Sequence, residues 1–240
     1  MNSLRLPRWI AHRGGGALAP ENTLAGIRLA ARMGFRAVEF DVMLSADASP
    51  FLIHDETLER TTNGRGAVCR TGDRELAALD AGAGERVPSL SEAALLCRQL
   101  GLRANVEIKP AQGLARQTAE VVVRQAQTLW GGDSLPPLLS SFSLEALEIC
   151  RDLAPELPRG VLFETLPGDW PAVVRQLGAV SVHCDATQLS PEQAAAVRQQ
   201  GLLLCCYTVN DAVQAERLLA WGVNSLFTDR LDLFAADAAA

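Results

Sequence analysis

The stretch Ala37-Val38-Glu39-Phe40-Asp41-Val42 reads as a strand, with branched and aromatic residues throughout and two carboxylates one residue apart near its end. Alternate side chains of an extended chain share a face, so Glu39 and Asp41 project together while Phe40 turns the other way. Seven further runs of this kind lie near residues 8–12, 103–109, 137–142, 159–164, 179–184, 202–208 and 224–228. They recur with intervening turns and amphipathic stretches, the pattern of β/α units around a parallel sheet. Eight such strands fit a TIM (β/α)8 barrel, an α/β fold that typically takes about 250 residues, and the chain has 240. A doubly wound open sheet shows the same alternation. The barrel is favoured because His12, Asp41 and Lys109 all fall at the C-terminal ends of strands, where barrels collect functional side chains. One domain covering residues 1–240 is the expected organisation.

Helix signals lie between the runs. Asn22/Thr23 opens a helix that should stop at Gly34, Ser89 opens one reaching Leu100, and Ser143 opens another through Leu153. Ser190-Pro191-Glu192-Gln193 combines an N-cap serine, proline at the first helical position and a capping-box glutamine, for a helix ending at Gly201. Asn210 is the expected cap of the helix before Gly222. Pro50-Phe51-Leu52-Ile53-His54 reads as a strand with no helix before it, which predicts a β-hairpin turning around Asp47-Ala48. Equal distance from that turn would set His54 opposite Asp41. Residues 55–88 show little periodicity and are expected to form a small insertion at the barrel mouth.

The 48% hydrophobic and 21% charged content is ordinary for a globular protein with a substantial core. Net charge is −6 and no cluster of Lys or Arg offers a footprint for a phosphate backbone, so nucleic acid is a poor partner. The first eight residues lead into a strand without the apolar stretch of a leader, and no run nears the ~20 residues that cross a bilayer. A cytoplasmic protein without a stable membrane anchor is expected, and the oligomeric state is left open. The six cysteines, Cys69, Cys97, Cys150, Cys184, Cys205 and Cys206, show no C-x-x-C spacing and are expected to be reduced and mostly buried, with Cys205 and Cys206 on opposite faces of one strand.

Glu107-Ile108-Lys109 repeats the Glu39/Asp41 spacing on another strand and adds a third carboxylate and a cation to the same mouth. An oxygen-rich set of this type suits Mg²⁺ or Ca²⁺ better than Zn²⁺. Taken singly, each pair reads as well as an ion pair at a barrel rim. His12-Arg13 ends the first strand before Gly14-Gly15-Gly16, where backbone amides would be free to face an anion. Three carboxylates, two imidazoles (His12 and His54) and two cations (Arg13 and Lys109) together suit a phosphodiester, whose charge needs neutralising while protons move. His183, the third histidine, is also expected at a strand end, but no adjacent carboxylate-cation set recruits it and it is read as structural.

These motifs in order, His12-Arg13-Gly14, Pro20-Glu21-Asn22-Thr23, Glu39-Phe40-Asp41-Val42, His54-Asp55 with Arg60-Thr61-Thr62, Glu107-Ile108-Lys109, Ser140-Ser141-Phe142 and Thr228-Asp229, resemble the glycerophosphodiester phosphodiesterase family from His12 to Asp229. The resemblance implies a TIM-barrel hydrolase that splits glycerophosphodiesters into an alcohol and sn-glycerol 3-phosphate with a divalent metal. It implies Glu39, Asp41 and Glu107 as metal ligands, His12 and His54 as the acid–base pair, and Arg13 and Lys109 on the phosphate. Phe142 and Tyr207 are implied at the substrate, and Glu21 and Asn22 as supports of the His12 loop. Two departures stand out: Tyr207-Thr208-Val209-Asn210 carries tyrosine where the family usually has tryptophan, and the hairpin turn Ser45-Ala46-Asp47-Ala48 lacks its usual glycine. His12 is expected as base and His54 as acid in the first step, with either water or the neighbouring glycerol hydroxyl as nucleophile.

The alternatives are a lysophospholipase D or sphingomyelinase D-like phosphodiesterase, a Schiff-base aldolase built on Lys109, and a non-catalytic module that senses phosphorylated ligands. The first would need an apolar mouth, and 55–88 is mostly polar. The second conflicts with a lysine flanked by carboxylates, which should stay protonated. The third would not require the whole ionisable set, yet the set is complete.

Overall fold

The computed structural model describes residues 4–234; residues 1–3, part of the N-terminal run read above, lie outside it, as do residues 235–240. Eight parallel strands close into a barrel: β1 (Trp9–Ala11), β2 (Ala37–Leu44), β4 (Arg103–Ile108), β5 (Leu138–Ser141), β6 (Arg159–Phe163), β7 (Ser181–Asp185), β8 (Leu203–Tyr207) and β9 (Ser225–Thr228). Closure is made by β1, which pairs with β9 from Trp9↔Leu226 to Ala11↔Thr228 and with β2 at Ala11↔Val38. The TIM-barrel expectation therefore holds, and β3 (Pro50–Leu52) is the added antiparallel strand on β2.

The helices follow from their caps and apolar stripes. Thr23 caps α1 (Leu24–Arg32), and Ser89 makes a reciprocal capping box with Glu92 at α3 (Leu90–Leu100). Ser143 caps α5 (Leu144–Leu153), and Ser190, with Pro191 behind it, caps α7 (Pro191–Gln199) through a second box with Gln193. α4 (Ala115–Leu129) and α6 (Trp170–Leu177) begin without any side-chain cap bond. For α8 (Ala212–Ala220) the cap is Asp211, which accepts from Gln214 N at 2.8 Å, and not Asn210 as expected. Asn210 is drawn away by Asp229, just after β9: its Oδ1 accepts from Asp229 N and its Nδ2 donates to Asp229 Oδ2.

The main core lies between the barrel's outer face and the helices, and includes Phe40, Val106, Leu139, Val182 and Leu204. Inside the barrel Ile10, Ala37, Cys205 and Phe227 pack together, so Cys205 faces inward while Cys206 faces the helices, as strand alternation requires. All six cysteines are free; Cys69 is partly exposed and the rest are buried, which pushes the thiols of Cys97, Cys150 and Cys184 up to about 12. Among the described residues no helix is long and apolar enough to cross a membrane.

The hairpin register differs by one from the expectation. Val42 pairs with Leu52 and Met43 with Phe51, so Asp41 faces Ile53 and His54 lies one step beyond. The reason is an odd loop of 45–49, closed by Ser45 N donating to Ser49 O, with Ser45 Oγ accepting from the amides of Asp47 and Ser49. Ala48, at φ 60°, takes the left-handed position that glycine would relieve. Residues 55–88 are less formless than their sequence suggests: they hold α2 (Asp73–Leu76) and bury Leu58, Val68, Leu76 and Val87 against Met43, Phe51 and Ile53 of the hairpin.

Candidate active site

Odd-numbered residues of β2 point into the barrel, which brings Glu39 and Asp41 to its mouth beside Glu107 of β4, the direct partner of Asp41. One oxygen from each lies within 4.8 Å of the others, and all three residues are buried. Burial and mutual repulsion hold Glu39 well above the usual carboxylate range and push Glu107 up to about 8. Burial raises Asp41 too, but Lys109, His54 and Arg13 outweigh it and keep its carboxyl below its ordinary value. Lys109 Nζ stands 3.6 Å from Asp41 Oδ1, and Asn22 Nδ2 donates to Asp41 Oδ2 at 2.9 Å. A hard divalent cation fits three buried, converging carboxylates: the donors are all oxygen, and like charges so close need a counter-charge.

Both expected histidines line the same cavity of about 410 Å³, together with Arg13, Lys109, Phe142 and Tyr207. Each ring is held by a carboxylate on the side away from the cavity. His12 Nδ1 pairs with Asp229 Oδ1 at 2.7 Å, and His54 Nδ1 pairs with Asp55 Oδ1 at 2.6 Å. Burial raises Asp229, yet the bond from His12 prevails and lowers it; the Arg60 guanidinium drives Asp55 far below the carboxylate range. Both carboxylates are thus ionised acceptors, which assigns the proton to Nδ1 in the neutral ring and leaves Nε2 to the cavity. His12 Nε2 stands 3.9 Å from Glu39 Oε2. Burial lowers the proton affinity of His54, against the opposing pull of Asp41.

Arg13 has φ 50°, a left-handed backbone for a non-glycine residue, held by its amide donating to Glu39 Oε2 at 2.9 Å. Its Nη1 donates to Glu21 Oε1 and its Nε is buried without a hydrogen-bond partner. Glu21 and Asp55 are in turn joined by Arg60, which donates to both. Glu21 and Asn22 therefore support the loop as expected, the first through Arg13 and the second through Asp41. The glycine loop does not do what its sequence suggests. Gly14 N donates to Glu39 O, Gly15 N to Arg13 O, Gly16 N to His12 O and Ala17 N to Asp229 O. With these amides spent on folding the turn, none is left for a phosphate. Gly16 is needed instead because its Cα side abuts the Asp229 backbone.

Phe142 and Tyr207 meet edge to face at 5.9 Å on the far wall, and the Tyr207 hydroxyl donates to Phe163 O at 2.9 Å. His183 also lines the cavity, in the middle of β7 and not at its end, with Nε2 3.0 Å from Ser181 Oγ. Burial drives it to about 3, so it stays neutral and structural. Gly160 leaves the space that Ser181 and His183 fill. Asp229 and Asp55 belong to the sequence motifs, but nothing in the sequence assigns them a task. Asp229 is 217 residues from His12, and its one signal is its place at the end of the last strand.

Comparison with known proteins agrees with this geometry. The model of the glycerophosphoryl diester phosphodiesterase family matches residues 12–233. A glycerophosphodiester phosphodiesterase of Caldanaerobacter subterraneus subsp. tengcongensis is 33% identical over 92% of this chain and 93% of its own. The fold is similar to that of an Oleispira antarctica phosphodiesterase solved with the product sn-glycerol-3-phosphate, with 37% identity, a TM-score of 0.90 and 93% of each chain covered. It is also similar to a glycerophosphodiester phosphodiesterase from Agrobacterium tumefaciens, with 31% identity, a TM-score of 0.78, and 96% and 100% of the two chains covered. With the barrel, the carboxylate triad and these matches in agreement, the chain belongs to the glycerophosphoryl diester phosphodiesterase family.

Proposed function

We propose that this protein hydrolyses glycerophosphodiesters to an alcohol and sn-glycerol 3-phosphate, with Mg²⁺ or Ca²⁺ held by Glu39, Asp41 and Glu107. The observation that carries this reading is the convergence of buried carboxylates, two cations and two oriented imidazoles on one cavity. When bound, the cation supplies charge neutralisation at the phosphoryl oxygens. Arg13 and Lys109 bind those oxygens from the side; the Nε of Arg13, which makes no hydrogen bond and stands 3.8 Å from Asp41 Oδ2, supports its part. Phe142 and Tyr207 wall the substrate and exclude water from one side.

The reaction itself needs one proton removed from the nucleophile and one given to the leaving alcohol. His12, neutral, takes the first on Nε2, and His54, entering as the imidazolium with a proton on each nitrogen, gives the second from Nε2, with Asp229 and Asp55 keeping each ring aimed. The nucleophile is water, or the adjacent glycerol hydroxyl, in which case a cyclic phosphate forms and water opens it with the histidines exchanging roles. Trapping that cyclic phosphate in a His12 or His54 variant distinguishes the routes. The six free thiols support a reducing, cytoplasmic setting. The decisive assay incubates the protein with glycerophosphocholine, glycerophosphoethanolamine and glycerophosphoglycerol, with and without chelator, and measures glycerol 3-phosphate. Release that stops with chelator is expected; no release with any metal refutes the reading.

One observation favours the lysophospholipase D-like alternative. Phe142, which lines the cavity, and Leu144 are 45% and 41% exposed and offer apolar surface to an acyl chain esterified to the glycerol. Turnover of lysophosphatidylcholine above that of glycerophosphocholine would favour it.

A further inference from the structure

Below the carboxylates the cavity has a polar floor that the chemistry above does not use. Asn105 precedes Glu107 by two residues on β4, on the same inward face, and pairs across the sheet with Glu39. It is only 3% exposed. Its Nδ2 donates to Ser140 Oγ at 2.8 Å, which fixes the amide plane, and its Oδ1 has no partner among the described residues although it is buried. Both residues line the cavity, with the apolar Leu162 and Phe227 among their neighbours there. Buried acceptors in folded proteins are almost always paired, so an orphan that borders a cavity requires its donor from the occupant.

We propose that Asn105 Oδ1 accepts a hydrogen bond from a free hydroxyl of the glycerol arm and makes the site selective for a polyol ester over its deoxy counterpart. This rests on the function proposed above and deepens it. With the phosphoryl group bound by Lys109, as the proposed function has it, the rest of the three-carbon arm points either out to solvent or down the barrel. Asn105 lies roughly 6–7 Å below Glu107 along the strand, at about 3.3 Å per residue, within reach of such an arm. A hydroxyl is the donor of the right size and charge: an ammonium would compete with the metal for the carboxylates. An amide also suits this place better than a carboxylate, because Asp in its stead would set a fourth negative charge beside Glu39. The hydrogen bond that Asn105 Nδ2 donates to Ser140 Oγ fixes the amide, so Oδ1 is held ready before the substrate arrives.

The test compares glycerophosphocholine with the phosphocholine esters of propane-1,2-diol and propane-1,3-diol, each lacking one hydroxyl. Wild type should prefer the glycerol ester over one of the two by on the order of 10- to 100-fold in kcat/KM. Asn105→Leu, near in volume but without an acceptor, should lose that factor on the glycerol ester and little on the deoxy ester, so the ratio falls to near one. Metal affinity by calorimetry should stay at the wild-type value. An equal loss on all three esters, or a loss that added metal restores, would overturn the inference by placing Asn105 with the metal cluster or the fold. Wild-type discrimination is measured without any variant, so failure of Asn105→Leu to fold does not spare the inference; equal rates on all three esters refute it outright. Wild type inactive on every glycerophosphodiester refutes the parent function and this inference together, whereas activity without discrimination refutes the inference alone.

Discussion

Removing the metal should make the protein's stability fall with pH, and Glu107 sets the size of the effect. In the metal-free fold burial and the neighbouring Asp41 raise its carboxyl from 4.5 to about 8. A group whose folded pKa is raised stabilises the fold fully below its unfolded value and loses that contribution as pH rises through the folded one. The interval from 4.5 to about 8, at about 1.4 kcal/mol per pH unit, amounts to on the order of 5 kcal/mol, most of it lost between pH 5 and 9. Glu39 shifts in the same direction and adds to the loss. Asp41 is lowered, so its contribution is present above its ordinary value of 3.8 and is lost only in acid. For a chain of this size each kcal/mol moves Tm by about 2–4 °C, so chelated wild type should melt roughly 10–20 °C lower at pH 9 than at pH 5. His183, driven down to about 3, pulls the other way on the acid side. Subtracting the profile of Glu107→Gln, which shares His183 but cannot titrate at 107, isolates the carboxyl. The assay is thermal denaturation with chelator across pH 5–9 for both proteins, repeated with saturating Mg²⁺ or Ca²⁺. Saturating metal should flatten the wild-type curve, since bound ligands are ionised at every pH in the range. Parallel curves for chelated wild type and Glu107→Gln would refute the argument.

His12→Ala and His54→Ala should each lower kcat by about 10²–10⁴-fold with the fold intact by circular dichroism. With a p-nitrophenyl leaving group, which departs without a proton, His54→Ala should recover most of its loss and His12→Ala should not; the reverse pattern would exchange their roles. Asp229→Asn should lower kcat by on the order of 10²–10⁴-fold at near-constant KM, because the amide no longer holds the Nδ1–H tautomer of His12, and an unchanged kcat would remove Asp229 from the site. Gly160→Ala would bring a methyl within 2.6 Å of Ser181 Oγ and 2.7 Å of His183 Nε2, so it should destabilise by about 1–3 kcal/mol, read as a lowered Tm. A Tm equal to that of wild type would show that the barrel interior gives way at no cost.

What could be read before folding divides along the range of the interactions. The eight strands were legible because buried parallel strands are near-continuous apolar runs. The Glu39/Asp41 spacing was legible because strand alternation is local. Helices that open on Thr23, Ser89, Ser143 and Ser190 announced themselves through caps, whereas Ala115–Leu129, with no capping side chain at Leu114, left no such punctuation. The hairpin register slipped by one because the loop closes on Ser45 and Ser49, a bond no residue pattern displays. The glycine loop misled for the same reason: which partner an amide finds is decided by the backbone around it. Asn105 is plain in the sequence, but that one of its amide atoms lacks a partner is a property of the packed barrel alone.

The bond between His12 on the first strand and Asp229 just after the last gives the barrel's closure a kinetic meaning. Contacts across so much intervening chain are the slowest to form, since the entropy of joining distant segments must be overcome before they reward it. A growing or half-folded chain can gather Glu39, Asp41 and Glu107 while His12 still rotates freely. With His12 in the role proposed for it, seating the final strand is the step that completes the site.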